Sequence, residues 1–215
     1  VDESGRLVGQ MTVDDIVHII SEEAGEDALL LSGAGDGDIN EPIREAYTAR
    51  VRWLIANLGT AVIASSIIAL FGAAIEQLVA LAILMPIVAS MGGIAGSQTL
   101  TLMIRGLALE QITPQTYMTL LRKELGVGAI NGVLWSLVIA GITYLWFGDW
   151  IIGGIIGMAI IINIVVAAVS GVMIPIWLEK LDIDPALSGS VILTTVTDVI
   201  GFFAFLGLGS LFLLS

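Results

Sequence analysis

The segment Leu193-Thr194-Thr195-Val196-Thr197-Asp198 sets a carboxylate among hydroxyls inside a long apolar run. A charge at the centre of a membrane span costs about 2.5–3.5 kcal/mol on insertion scales, so such residues normally face a bundle interior or an ion path. Thr194, Thr195 and Gly201 lie three or four residues from Asp198 and therefore share its helical face. Hydroxyls and a carboxylate on one face make an oxygen-lined surface, suited to a hydrated hard cation. The competing reading is a structural aspartate bonded to a neighbouring helix.

A second segment runs from Met85-Pro86 to Gly92-Gly93-Ile94-Ala95-Gly96-Ser97-Gln98-Thr99. Proline removes a backbone donor and clustered glycine loosens a helix. A broken backbone inside a membrane is tolerated where it is buried or lines a wet cavity, and freed carbonyls there could act as ligands. Close helix packing through small residues explains the same composition, and both readings stay open. Gly93 and Gly96 lack the GxxxG spacing, whereas Gly153 and Gly157 have it and read as a packing pair. Asn131, Asn163 and Ser170 read as interhelical hydrogen-bonding residues. Glu76 is expected at the outer interface.

Upstream, Glu22, Glu23, Glu26 and Asp27 form an acidic cluster. Carboxylates at this spacing repel unless a cation lies between them, although a solvated helix face accounts for them as well. Asp36-x-Asp38-x-Asn40 is not a calcium loop, because Glu41 stands at the glycine position and Tyr47 at the final glutamate position. Gly33-x-Gly35 follows no hydrophobic strand and makes no phosphate loop.

The elements that must hold these residues are legible from composition. Of 215 residues, 57% are apolar and 13% charged, and the mean hydropathy is +0.99. A soluble domain carries about 25% charged residues, and a disordered chain is far less apolar. The absence of cysteine excludes disulfides and thiolate chemistry, and the single histidine, His18, excludes His-rich zinc sites within one chain. Five stretches are long and apolar enough to cross a bilayer: Leu54–Phe71, Leu78–Ile104, Leu125–Gly148, Trp150–Leu178 and Ala186–Ser215. The fold class is therefore an all-α membrane protein with five transmembrane helices per chain. Trp53, Tyr144, Trp146, Trp150 and Trp177 fall near expected span ends, as interfacial aromatics do.

Arg44, Arg50, Arg52, Arg105, Arg122, Lys123 and Lys180 all fall on one side of this arrangement. The positive-inside rule makes that side cytoplasmic, with the N-terminus inside and the C-terminus outside a cell membrane. Residues 1–46 carry a formal charge of −10 and residues 47–215 only −2. An acidic leader disfavours nucleic acid, whose phosphates demand basic patches, and suits divalent cations. Within it, residues 1–8 read as strand, turn and strand. Thr12 reads as an N-cap with Asp15 at N3, opening an amphipathic helix from Val13 to Leu31. A Gly-rich linker and a short helix, Glu41–Arg52, lead into the membrane. The start at Val1, without Met or a signal sequence, reads as a fragment of a longer protein.

The run Met85-Pro86-Ile87-Val88-Ala89, then Gly92-Gly93-x-x-Gly96-x-Gln98 and Arg105-Gly106-Leu107-Ala108, resembles the MgtE family of magnesium transporters and channels. Thr194–Asp198 followed by Gly201-Phe202-Phe203 resembles that family's fifth helix. Gly5-Arg6-Leu7-Val8-Gly9 with Thr12-x-x-Asp15 resembles the end of a CBS domain, and Glu23-x-x-Glu26-Asp27-x-Leu29 the segment after it.

The resemblance implies three parts: a CBS remnant over 1–31, a linker and plug helix over 32–53, and a five-helix pore domain over 54–215. It implies a homodimer in the lipid membrane, with a pore on the twofold axis lined by the second and fifth helices. Asp198 of both subunits would bind hydrated Mg²⁺, with Thr194 and Thr195 nearby. Pro86, Gly92, Gly93, Gly96 and Gly201 would shape the pore wall. Asp15, Glu23, Glu26 and Asp27 would bind regulatory Mg²⁺ and hold the pore shut. Two departures stand out. Ile94 replaces an Asn common in the family, and most of the cytosolic region that would regulate through complete CBS domains is absent from these 215 residues.

Transport rather than catalysis is thus expected. A cation-coupled divalent metal exchanger would use the same ligands as a channel. An intramembrane aspartyl protease needs two acidic groups sharing a proton, and a single chain offers only Asp198.

Overall fold

The structure, a computed structural model, describes residues 12–14, 16, 30 and 42–213. The strands expected over 1–8, most of the amphipathic leader helix, and the acidic residues Asp15, Glu23, Glu26 and Asp27 lie outside the described residues. Where the leader is described it is helical at Val13, Asp14 and Ile16, and the Ile16 N–H donates to the Thr12 carbonyl at 3.2 Å.

Five long helices and one short one follow: α1 (Ile43–Leu70), α2 (Gly72–Gln77), α3 (Val79–Ala108), α4 (Tyr117–Phe147), α5 (Trp150–Lys180) and α6 (Pro185–Leu213). The five long ones are each apolar enough and long enough to span a bilayer, and no strand occurs among the described residues. This is the all-α membrane architecture that composition implies. The expected short helix over 41–52 and the first span are one continuous helix, α1. No glycine or proline interrupts the chain between Ile43 and Asn57, so the helix runs on through Arg44, Arg50 and Arg52. The connection expected over 72–77 forms the single turn and a half of α2.

Helix α5 is the hub. It packs against α3, α4 and α6, whereas α3 and α4 hardly touch each other and α1 leans on α6. Its sequence is apolar all round, as a helix buried on every side must be, and Ile156, Ala159, Ile160, Ala167 and Val172 are fully enclosed. The two-residue link between α4 and α5 is built from opposite terminators. Gly148 ends α4 in the left-handed conformation at φ 68°, its N–H donating to the Tyr144 carbonyl at 2.8 Å. Asp149 then caps α5 by accepting from the Ile151 N–H at 2.7 Å. Gly153 and Gly157 face this partner helix: a Cβ on Gly153 would stand 2.9 Å from the Ala140 carbonyl oxygen, and one on Gly157 3.3 Å from that of Ser136. The pair with GxxxG spacing is therefore a packing pair. Asp184 caps α6 in the same manner as Asp149, accepting from Ala186 at 2.8 Å, with Pro185 opening the helix.

At the end of the bundle carrying Arg105 and Lys180, Leu100, Ile104, Ile174, Leu178, Ala186 and Leu193 form an apolar cluster. Leu30 of the leader packs against it.

Candidate functional site

Helices α3 and α6 run antiparallel, and their contacts fix a register. Leu81 fills the space beside Gly209, Leu193 the space beside Gly96, and Leu100 the space beside Gly189. Between these levels Asn163 of α5 wedges between Gly92 and Gly201. A Cβ on Gly92 would fall inside the Asn163 side chain, and one on Gly201 would approach its Nδ2 to 2.6 Å. Asn163 is fully buried, and its Nδ2 donates to the Val88 carbonyl at 2.8 Å. Its Oδ1 is buried with no hydrogen-bond partner among the described residues.

This register puts Asp198 at the height of Gly92–Gly96 on α3, near the middle of both helices. Asp198 is half-buried, and its carboxylate makes no hydrogen bond or ion pair among the described residues. The hydroxyls around it are already committed as donors. Thr194 donates to the Ser190 carbonyl at 2.9 Å and Thr195 to the Val191 carbonyl at 2.7 Å. Thr197, fully buried, donates to the Leu193 and Thr194 carbonyls at 3.1 Å each. With their protons turned back onto the helix, Thr194 and Thr195 present only oxygen lone pairs to their surroundings. That polarity suits a cation or the outward-pointing hydrogens of its water shell, and opposes an anion.

On α3 the open face carries Pro86, Ser90, Gly93, Ser97 and Thr101, spaced by three or four residues. Gly93 has nothing within 4 Å of where a Cβ would stand, and Ser97 donates to its carbonyl at 2.8 Å. A groove of about 590 Å³ lies along this face beside Gly93, Ser97, Gln98 and Thr101, and Ile94 flanks it with more than half its side chain exposed. The five residues expected to shape a pore wall thus separate into two sets. Gly92, Gly96 and Gly201 meet Asn163 and Leu193 within the chain, while Pro86 and Gly93 belong to the open face. Helix α3 is continuous through both Pro86 and the glycines.

Among the described residues no three His, Cys, Asp or Glu side chains gather as a metal cluster. Around Asp198 the described residues of one chain therefore offer a cation one carboxylate with neutral oxygens. That is too little to strip a small dication of its water, and it fits a cation that keeps its hydration shell.

Sequence reasoning passed over Glu124, which is buried on α4 and accepts from the Thr99 hydroxyl at 3.0 Å. Beside Arg122 and Lys123 it reads as one more charge in a basic loop. The signal lay downstream: Glu124, Gly128, Gly132 and Ser136 recur every four residues and form the buried stripe of α4.

The family model named MgtE, described as a divalent cation transporter, matches residues 85–208. The chain is 35% identical over 216 residues to the magnesium transporter MgtE of Bacillus subtilis, and the match covers 99% of this chain and 48% of that protein. It is 34% identical over 217 residues to the magnesium transporter MgtE of Thermus thermophilus, with 99% and 48% covered. With the magnesium transporter MgtE of Enterococcus faecalis the identity is 29% over 212 residues, with 99% and 47% covered. The chain spans about half the length of the curated relatives it matches.

Proposed function

The chain belongs to the MgtE family of divalent cation transporters, and from that premise we propose that it conducts hydrated Mg²⁺ across a cell membrane through a pore formed by two copies. The observation that carries this reading is Asp198: a half-buried carboxylate with no hydrogen-bond or ion-pair partner among the described residues, midway along α6, at the height of Gly93 on the open face of α3.

Two such carboxylates facing each other across a twofold axis repel when nothing lies between them. A dication between them removes that repulsion, and a monovalent ion removes it only in part. Mg²⁺ dehydrates reluctantly and keeps several waters, so the carboxylates touch it through those waters. The lone pairs of Thr194 and Thr195 accept from the outer face of the same shell. Pro86 and Gly93 keep the facing wall of α3 low enough for a hydrated ion to pass, while Gly92, Gly96 and Gly201 hold α3 and α6 close enough to frame it.

The leader supplies control in this reading. Asp15, Glu23, Glu26 and Asp27 bind cytosolic Mg²⁺, and their neutralisation draws the segment before α1 into a closed arrangement. Leu30, seated on the α3–α5–α6 cluster, offers a physical link between that segment and the bundle. The N-terminus and the connection between α3 and α4 are cytoplasmic and the C-terminus external in this reading, which the one-sided placement of Arg and Lys supports.

The deciding measurement is Mg²⁺ flux into liposomes holding the purified protein. Flux in the wild type that Asp198→Ala abolishes, with the variant still folded, supports the reading. Equal flux in the two removes it. Unitary currents in a planar bilayer identify a channel, and strict dependence on a counter-transported cation identifies an exchanger.

A further inference from the structure

The buried Glu124 belongs to a second polar site, on the side of α3 that faces α4. Because α3 and α4 hardly touch, a cleft of about 220 Å³ opens between them, with α5 as its floor. Its polar groups are Gln98 and Thr99 from α3 and Lys123, Glu124 and Asn131 from α4. Leu102 and Val127, both substantially exposed, flank the mouth. One Glu124 oxygen accepts from Thr99 at 3.0 Å. Thr99 is held in place from behind, since a Cβ on Gly171 would stand 2.8 Å from its own Cβ. The other Glu124 oxygen has no hydrogen bond among the described residues, and it is not sealed in protein.

The height of the cleft matters. Helix α4 has 31 residues, about 46 Å, against a hydrocarbon core of about 30 Å, so about 8 Å projects at each end. Glu124 lies seven residues from the start of α4, about 10 Å, at the boundary between headgroups and acyl chains. The charges in the cleft cancel: one carboxylate and one ammonium line it without an ion pair between them. A dication would gain a single carboxylate and meet Lys123. A ligand carrying both charges satisfies both residues.

We propose that the cleft between α3 and α4 is a headgroup site for an ethanolamine phospholipid, with its ammonium on Glu124 and its phosphate on Lys123. A primary ammonium has three N–H donors, and the free Glu124 oxygen with the amide oxygens of Gln98 and Asn131 supplies acceptors. Choline headgroups carry the same charges but no N–H, so they forgo the charge-assisted hydrogen bonds. The long Lys123 stem reaches the phosphate at the surface, and the acyl chains leave past Leu102 and Val127.

The test is lipid retention by the purified protein in detergent, read by native mass spectrometry. Phosphatidylethanolamine and phosphatidylcholine with identical acyl chains are offered in equal amounts. The wild type retains the ethanolamine lipid over the choline lipid by on the order of tenfold. Glu124→Gln keeps an oxygen for Thr99 and removes the charge, and the ratio falls to near unity. Lys123→Gln weakens retention of both lipids alike. Asn131→Leu fills the cleft without touching the Thr99–Glu124 bond and lowers retention by an independent route. Equal retention of the two lipids by the wild type, or an unchanged preference in Glu124→Gln, overturns the proposal. So does Mg²⁺ binding in the cleft that Glu124→Gln removes while lipid retention stays the same. None of these readouts depends on ion transport.

Discussion

Asn163 Nδ2 donates to the carbonyl of Val88 at 2.8 Å, and this one bond fastens α5 to α3 at the level where α6 carries Gly201. Interhelical hydrogen bonds of this kind contribute about 0.6 kcal/mol on average in membrane proteins. The shape of the side chain matters more than the bond. An amide set between two glycines spaces α3 from α6, and Asp198 sits one turn from that spacer.

Gly92→Ala should therefore destabilise the fold by about 1–3 kcal/mol, because the added methyl overpacks a closed site. Gly93→Ala, one residue on, should be close to neutral for stability, since nothing lies within 4 Å of its Cβ position. Thermal unfolding in detergent compares the two. Equal losses would show that the Asn163 contact does not constrain α3.

Asp198→Asn separates charge from shape. If charge selects the ion, the Asn variant loses its preference for divalent cations and admits Na⁺ or K⁺ while keeping its melting temperature. Wild-type Mg²⁺ flux with unchanged selectivity in the Asn variant would remove Asp198 from the pore.

The topology is open to direct labelling, because the chain has no cysteine of its own. A cysteine at Gln115, between α3 and α4, should react with an impermeant maleimide from the cytoplasmic side. One at Asp149, between α4 and α5, should react from the outside. Reaction of both from the same side contradicts a five-span path.

Control by the leader makes a further demand. Replacing Glu23, Glu26 and Asp27 with their amides should raise the internal Mg²⁺ needed to stop flux by roughly tenfold or more, as expected when carboxylate ligands are lost from a hard-cation site. Leu30→Asp should weaken closure without changing the Mg²⁺ affinity of the leader, by breaking the contact with the α3–α5–α6 cluster. Closure at the wild-type Mg²⁺ concentration in both variants would take the sensor out of this segment.

Spans were legible because a bilayer imposes length and apolarity directly on composition, and five such stretches became five helices. Their ends were less so. Arg44, Arg50 and Arg52 suggest a boundary before Leu54, yet nothing in the backbone stops the helix there, and α1 runs through. The Gly-rich run of α3 is where local sequence cannot decide. Gly92 and Gly93 are adjacent and identical in type, and only the position of Asn163, 71 residues beyond Gly92, makes one a packing site and the other an open one. Glu124 was hidden by its neighbours: a run of Arg122, Lys123 and Glu124 has the composition of a surface loop, and burial of the third member depends on where Thr99 falls on another helix.

The two-residue link at Gly148-Asp149 bears on how the molecule is made. A connection that short leaves almost no polar segment to carry across the bilayer, so α4 and α5 can enter as a closed hairpin rather than as two separate insertions. Helix α4 brings Glu124 and Ser136, and α5, the most apolar of the five, brings the favourable transfer energy that carries them in. The helix on which α3 and α6 later settle thus arrives already paired on one side. Gly153 and Gly157, facing Ala140 and Ser136 across the link, supply that pairing.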